Sequence, residues 1–483
     1  MRAGDASRAD VAIVGAGAAG SLLAVQLLRR GPAGTAVHLI ERTGTFGPGV
    51  AYSSPSEAHR LNVCAGQMAA IPSEPDGFYA WLAERRPGIA ADEFAPRHAF
   101  GAYLEDLLDG AEREAAGRVT LHRHATLAES VSARGPGRSR TVNLASGERI
   151  EAGAVVLALG NSIPSCPAGI PDELVDSPLF VADPWQPGAI DAAASDETVL
   201  LLGCGLTMVD VALDLGRAGG PVMHAVSRGG LMPQAHVEHP CPPDFDPVVA
   251  DPDLPLTEML IDLLGAATDV NGSGWRRAID SLRPVTNDLW QGLEPAEQEY
   301  FHRRLSRLWS IHRHRMAPQV GSAIERLLAA GRLHVRAGSV VEAEIEGTAV
   351  NVEVLRRGAR TPMRLRVNRV VNCTGPVHDP RRIAQRLLRD LVSRGEVRPN
   401  PLGLGFDTAA DGALLTVDGT PAGGLYTLGP PRSGNLLETT AVPEIGSQAE
   451  ALAERILLSA RPSLRGPRSA SRSRGAAFRP PAG

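Results

Sequence analysis

Residues 10–20 read Asp-Val-Ala-Ile-Val-Gly-Ala-Gly-Ala-Ala-Gly. An apolar run of strand character ends in the spacing Gly15-x-Gly17-x-x-Gly20. The stretch Ser21 to Arg30, stopped by Gly31, follows with the pattern of a helix. A second apolar run, Ala36 to Ile40, ends in Glu41. Strand, glycine turn, helix and strand make a βαβ unit. The first glycine permits the tight turn, the second lets backbone approach a diphosphate, and the third lets the helix pack close to the strand. The helix N-terminus presents unpaired N–H groups and partial positive charge to the phosphates. Glu41 stands 21 residues after Gly20, where a carboxylate accepts ribose hydroxyls. It would repel a 2′-phosphate, so the ligand read here is FAD or NAD.

The plan recurs. Thr198 to Leu202 has strand character, Gly203-Cys204-Gly205 makes the turn, Val209 to Ala218 continues as a helix, and Val222 to Val226 is the next strand. Met208 takes the place of the third glycine, which sets this helix further from its strand, and Thr207 is expected to cap it. The following strand ends in Ser227-Arg228 with no acid, and a guanidinium pairs with a 2′-phosphate where Glu41 could not. This assigns FAD to the first loop and NADPH to the second.

Each half continues through an insertion, about 44–115 and about 230–330. The first carries predicted helices at Gly77 to Glu84 and Phe100 to Ala115; the second is helical and rich in Arg, His and Trp. Gly117-Arg118-Val119 and Gly331-Arg332-Leu333 are read as openings of an antiparallel section in each half. Return strands then lead to Gly160 and to Cys373-Thr374-Gly375. The expected fold is α/β, with two Rossmann-like dinucleotide-binding domains and the NADP domain inserted in the FAD domain. Residues 1–180 and 376–460 form the FAD part and 181–375 the NADP part. Residues 461–483, with six arginines and no acid, read as a disordered basic tail.

Composition narrows the chemistry. Apolar residues make up 43% of 483, so a full core needs no disulfide or metal. No lysine is present, which excludes a Schiff-base lysine, a pyridoxal-phosphate anchor and a Walker-A loop. A net charge of −5 does not suit a nucleic-acid binder. The five cysteines include no CxxC pair, which speaks against a dithiol relay and for a cytoplasmic setting. No uncharged apolar stretch approaches ~20 residues, so no membrane span is expected. His236, Glu238, His239 and Cys241 cluster in a proline-rich loop, but not at the spacing of a zinc module, so no metal is expected. Trp275, Trp290 and Trp309 read as core.

Several further blocks carry a family resemblance: Phe46-Gly-Pro-Gly-Val-Ala-Tyr52, Leu61-Asn62-Val63, Phe94-Ala-Pro-Arg97, Gly205-Leu-Thr-Met-Val-Asp210, His312-Arg-His-Arg-Met-Ala-Pro318, Asn372-Cys-Thr-Gly-Pro376 and Glu438-Thr-Thr-Ala-Val-Pro-Glu444. With them the chain resembles the bacterial two-dinucleotide-fold FAD/NAD(P)-binding flavoproteins related to the ornithine and lysine N-hydroxylases, and among these the nitrosuccinate-forming L-aspartate N-monooxygenases. The resemblance implies a flavin-dependent monooxygenase. NADPH would reduce FAD, and one atom of O₂ would pass to the unprotonated amine of a small amino acid, best matched by aspartate. It implies a downstream lyase as the partner that releases nitrite. The alternative is an FAD/NADPH oxidoreductase that does not activate oxygen. The implied flavin residues are Gly15, Gly17, Ala18, Ala19, Gly20, Glu41, Arg42, Asn62, Gly160 and Gly429. The implied nicotinamide residues are Gly203, Gly205, Thr207, Ser227 and Arg228. Gly429 departs from the usual pattern, because Pro430 stands where an acid is expected. A dicarboxylate needs cations, and Arg60, Arg97, Arg313, Arg315 and Arg432 are the candidates beside these blocks. No residue is assigned as a catalytic nucleophile.

Overall fold

The computed structural model describes residues 10–133, 139–217, 219–237 and 274–459. The basic tail and Glu238, His239 and Cys241 lie outside them. The strands are β1 (Asp10–Val14), β2 (Thr35–Ile40), β3 (Val119–His124), β4 (Ala128–Ala133), β5 (Arg140–Leu144), β6 (Arg149–Ala152), β7 (Ala154–Leu157), β8 (Phe180–Val181), β9 (Thr198–Leu202), β10 (Val222–Ser227), β11 (Leu333–Glu346), β12 (Ala349–Arg356), β13 (Met363–Val367), β14 (Arg369–Asn372), β15 (Ala413–Leu415) and β16 (Pro421–Thr427). The helices that matter for the site are α1 (Ala18–Arg30), α2 (Arg97–Ala115), α3 (Leu206–Leu215), α4 (Gly274–Leu282), α5 (Ser306–Arg313) and α6 (Val442–Ser459).

One sheet has the order β15-β16-β7-β1-β2-β3 and a second has β13-β12-β11-β10-β9-β14-β8. The first is therefore built from both ends of the described chain, and the second from what lies between: two Rossmann-like units, one inserted in the other. In each, the glycine-loop strand sits centrally and is flanked on both sides by parallel neighbours. Central strands buried on both faces are continuously apolar, as Val11-Ala12-Ile13-Val14 and Val199-Leu200-Leu201-Leu202 are. Among the described residues no helix is long and apolar enough to cross a membrane.

Two local expectations are corrected. Val119 does not open an antiparallel section: β3 lies parallel beside β2, and a separate three-stranded sheet, β4-β5-β6, follows. In the second half the single long strand β11 serves both purposes. It pairs parallel with β10 over Leu333 to Ala337 and then antiparallel with β12. A strand that returns from a helical crossover joins its sheet parallel, which periodicity alone does not reveal. Second, α3 starts at Leu206 with Gly205 as its N-cap, so Thr207 is a residue of the first turn and not the cap. The helix grows directly from the loop, as α1 does from Gly17.

The two units meet through α3. Asp210 and Asp214 are four residues apart and so share a face of this helix. That face turns toward residues of the first unit. The Arg97 guanidinium donates to both oxygens of Asp210 (2.7 and 3.2 Å). The His59 ring reaches Asp214 at 3.0 Å, and the Ser56 hydroxyl donates to Asp214 at 2.9 Å. Burial pushes the His59 imidazole down, but the hydrogen bond to Asp214 and the charges of Asp210 and Asp214 outweigh it and hold its pKa above the ordinary value. Burial raises Asp214, but His59 and Ser56 outweigh that and hold its carboxyl low.

A raised imidazole pKa stabilises the fold below its unfolded value, about 6.5, and that contribution is lost as pH rises through the folded value. A lowered carboxyl pKa contributes above the ordinary carboxylate range and is lost as pH falls. The pair is therefore strongest between the two. Replacing His59→Gln should destabilise by about 1–3 kcal/mol near pH 5 to 6, and by clearly less above about pH 8. Urea denaturation of both proteins across that range measures it. A cost that is flat with pH would contradict the ion-pair account.

Candidate functional site

The first glycine loop is bounded by close backbone approaches. Gly15 has φ +103°, and a Cβ there would overlap the Ala158 carbonyl; a Cβ on Gly20 would overlap the Gly15 carbonyl. These two glycines are required by the protein's own packing. Gly17 differs: its φ is ordinary, −71°, and a Cβ would meet, among the described residues, only Gly49, with Cα at 3.4 Å and N at 3.9 Å. The second loop repeats the contrast. Gly203, at φ +112°, lies against the Cys373 carbonyl, whereas a Cβ on Gly205 would meet nothing within 4 Å. In both loops the described residues give the middle glycine no steric reason to lack a side chain. It leaves open the space that a closely approaching ligand backbone would fill.

Both helices that leave these loops lack a side-chain cap and a first-turn acid. Their first N–H groups, among them those of Ala18 and Ala19, are free to meet an anion. Glu41 reaches back to the loop and accepts from the Ala16 amide at 3.1 Å; it also accepts from Thr43 N and Oγ1 at 3.1 Å each. Arg42 beside it is exposed. Gly160 follows β7 at φ +61° with open space around it, and Gly429 packs against Ala19, its N–H donating to Gln448 at 3.0 Å. In the second unit Ser227 Oγ accepts from Gly230 N at 3.1 Å, and Arg228 is exposed. Sequence reading missed Arg307. Its guanidinium donates to the Cys204 carbonyl inside the second loop at 3.2 Å and also to the Leu231 carbonyl.

The arginines singled out from sequence take distinct places. Arg60 is half-buried and donates to the Phe94 carbonyl at 3.3 Å. Arg97 is committed to Asp210. Arg313 is buried and doubly bonded to Glu438 (2.8 and 3.0 Å). Arg432 is buried and donates to the Ala409 and Ala410 carbonyls, Thr408 and Gln448; burial lowers its pKa to about 10. Arg315 is paired with Asp280 and is 3% exposed, and its Nε is buried without an acceptor among the described residues.

Arg313 and Arg315 belong to a junction where α4, α5, the loop after β10 and the loop before α6 meet. Arg283 is doubly bonded to Glu444 (2.8 and 3.0 Å). Arg276 donates to the Ala235 carbonyl and lies over Trp275, 4.4 Å from the ring centre. His236 bonds the Asn62 carbonyl at 3.0 Å, which ties this junction to the first unit. Burial and the Arg315 charge depress His236 to about 3; burial and the charges of Arg313 and Arg283 depress His314 to about 4. In both cases burial is the larger cause, and the neighbouring guanidinium charges add to it. Helix α5 runs to Arg313, and His314 is its C-cap. Trp290 and Trp309 are core, as expected.

Residues 12–162 match the sequence profile of a family described as FAD-NAD(P)-binding. A nitrosuccinic acid synthase of Aspergillus oryzae is 29% identical over 202 residues, spanning 36% of this chain and 30% of that protein. The match thus covers about a third of the length of this curated relative. Among solved structures, an ornithine N-hydroxylase of Kutzneria sp. 744, described with reduced FAD, NADP⁺ and L-ornithine, is similar with a TM-score of 0.64 at 18% identity. The similarity covers 94% of this chain and 99% of that one. An L-lysine 6-monooxygenase of Pseudomonas syringae gives 0.62 at 16%, with 94% and 99% covered. The chain shares the fold of these two proteins over nearly its whole length, and residues 12–162 match the FAD-NAD(P)-binding profile.

Proposed function

We propose that this chain is an FAD- and NADPH-dependent monooxygenase that oxygenates the amine of a small amino acid, with L-aspartate converted to nitrosuccinate. The observation that carries the reading is the arginine-rich junction between two glycine loops whose flanking charges are opposite, Glu41 at one and Arg228 at the other. Gly15, Gly17, Ala18, Ala19 and Gly20 would hold the FAD diphosphate, with Glu41 on the ribose and Arg42, Asn62, Gly160 and Gly429 completing the set. Gly203, Gly205, Thr207, Ser227 and Arg228 would hold NADPH, with Arg228 on the 2′-phosphate. When bound, FAD supplies hydride acceptance and oxygen activation; position, charge and exclusion of water fall to the chain.

The junction does two things for such a reaction. It favours the carboxylates of an acidic amino acid, with Arg315 as the guanidinium that has a donor to spare. Burial there, with the guanidinium charges adding to it, would also disfavour an ammonium, as it disfavours the two imidazolium ions, and so raise the fraction of substrate amine that is unprotonated and nucleophilic. Amine oxygenation is supported by the ornithine and lysine hydroxylases that share the fold, and aspartate by the fungal relative. The proposed product is a nitro acid, so a lyase that eliminates nitrite is the proposed downstream partner.

Purified, flavin-loaded protein given NADPH, O₂ and single amino acids should consume NADPH fastest with aspartate and yield nitrosuccinate by mass spectrometry. NADPH consumption with no N-oxygenated product from any amine would leave the oxidoreductase alternative standing. Arg315→Ala should raise the KM for aspartate by about 10- to 100-fold, the equivalent of one charge-assisted hydrogen bond, while bound FAD is retained. At the second loop, Gly205→Ala should leave the melting temperature almost unchanged yet weaken NADPH binding at least about tenfold. Arg228→Ala should weaken NADPH but not NADH, and equal loss for both would remove Arg228 from the 2′-phosphate.

A further inference from the structure

Arg97 does more than fill a buried acid. Its Nε donates to the Arg60 carbonyl at 3.1 Å while the other end of its fork holds Asp210. The backbone around it is stitched as well: Arg97 N donates to the His59 carbonyl and Leu61 N to the Ala95 carbonyl, both at 2.8 Å, with Arg60 and Pro96 bridged antiparallel. His59 adds a ring contact to the Asp210 carbonyl at 3.2 Å besides its bond to Asp214, and Ser54 holds its other nitrogen at 2.6 Å. One residue further, the Asn62 carbonyl receives His236. The segment 54–62 of the first unit is thus gripped at Ser56, His59, Arg60 and Asn62 by groups of the second unit or by an arginine anchored to it. Every grip but that of His236 passes through α3, the helix whose free N-terminus borders the second loop. Asp210 and Asp214 on one helical face repel one another, so their partners across the boundary are what make this face stable.

We propose that Arg97, Asp210, His59 and Asp214 are positioning residues that couple α3 to the segment 54–62, so that a nucleotide filling the second loop also orders the flavin-side segment leading to Asn62. This rests on the assignment of the second loop to NADPH. The coupling is mechanical: α3 is a rigid rod, its N-terminal N–H groups meet the diphosphate, and its acidic face carries the displacement to Arg97 and His59. None of the four is a catalytic residue.

Hydrogen–deuterium exchange on the FAD-loaded protein tests it without turnover. In the wild type, NADP⁺ should slow exchange in 203–209 and, by roughly fivefold or more, in 54–62. In Asp210→Asn the protection of 203–209 should remain and that of 54–62 should vanish. Anaerobic flavin reduction at saturating NADPH should then fall about tenfold, with little change in NADPH affinity or FAD content. Asp214→Asn, which keeps a hydrogen-bonding partner for His59, serves in its place if Asp210→Asn does not fold. Equal protection of 54–62 in wild type and variant would overturn the coupling. Absence of protection at 203–209 in the wild type would instead overturn the NADPH assignment, and the coupling with it.

Discussion

A guanidinium taken out of water must have its fork filled, because an unpaired buried charge costs several kcal/mol. This requirement organises the centre of the molecule. Arg97 joins α2 to α3, Arg313 joins α5 to the loop before α6, and Arg283 joins the helical insertion to Glu444 at the start of α6. Each pair connects elements far apart in sequence. Removing one partner would strand a charge at the boundary where the two nucleotide units and the insertion meet. Such pairs fix which surfaces face one another more than they add stability, since an apolar substitute of the same shape would hold about as well.

The glycine loops obey a second constraint that is purely steric. In each unit the turn after the central strand passes beneath a carbonyl of the return strand, Ala158 in one and Cys373 in the other. No side chain fits there, whatever the loop binds. Gly20 is likewise closed off by Gly15, but the second unit places the buried Met208 at the corresponding step. The two halves therefore share the backbone turn and differ in the residue at this step. Gly17 and Gly205 are the positions at which the described residues supply no such steric reason.

These loops were legible because strand, glycine spacing and helix are local and their periodicities are unambiguous. Glu41 was legible for the same reason: it ends a strand at a fixed distance from the turn, and it does meet the loop amide of Ala16. The arginines were not legible. Arg97, Arg313 and Arg315 stand in recognisable blocks, but their partners Asp210, Glu438 and Asp280 are 35 to 125 residues away, and nothing in local pattern says which acid a fork will find. The i, i+4 spacing of Asp210 and Asp214 was a signal of one charged helical face, yet not of what covers it. Arg307 and Gln448 gave no signal at all, since each acts on a backbone atom of a distant loop.

The absence of lysine has a physical consequence at the junction. Burial shifts a cation toward its neutral form, and a buried ammonium is readily discharged near neutral pH. A guanidinium starts so much higher that Arg432, enclosed among carbonyls, is lowered only to about 10. Arginines in such surroundings stay charged throughout the range in which an amino-acid amine changes from ammonium to free amine. The guanidinium charges that add to burial in depressing His236 and His314 therefore persist across that range. A lysine-built cluster would lose its own charge over the same interval, whereas an arginine-built one keeps it.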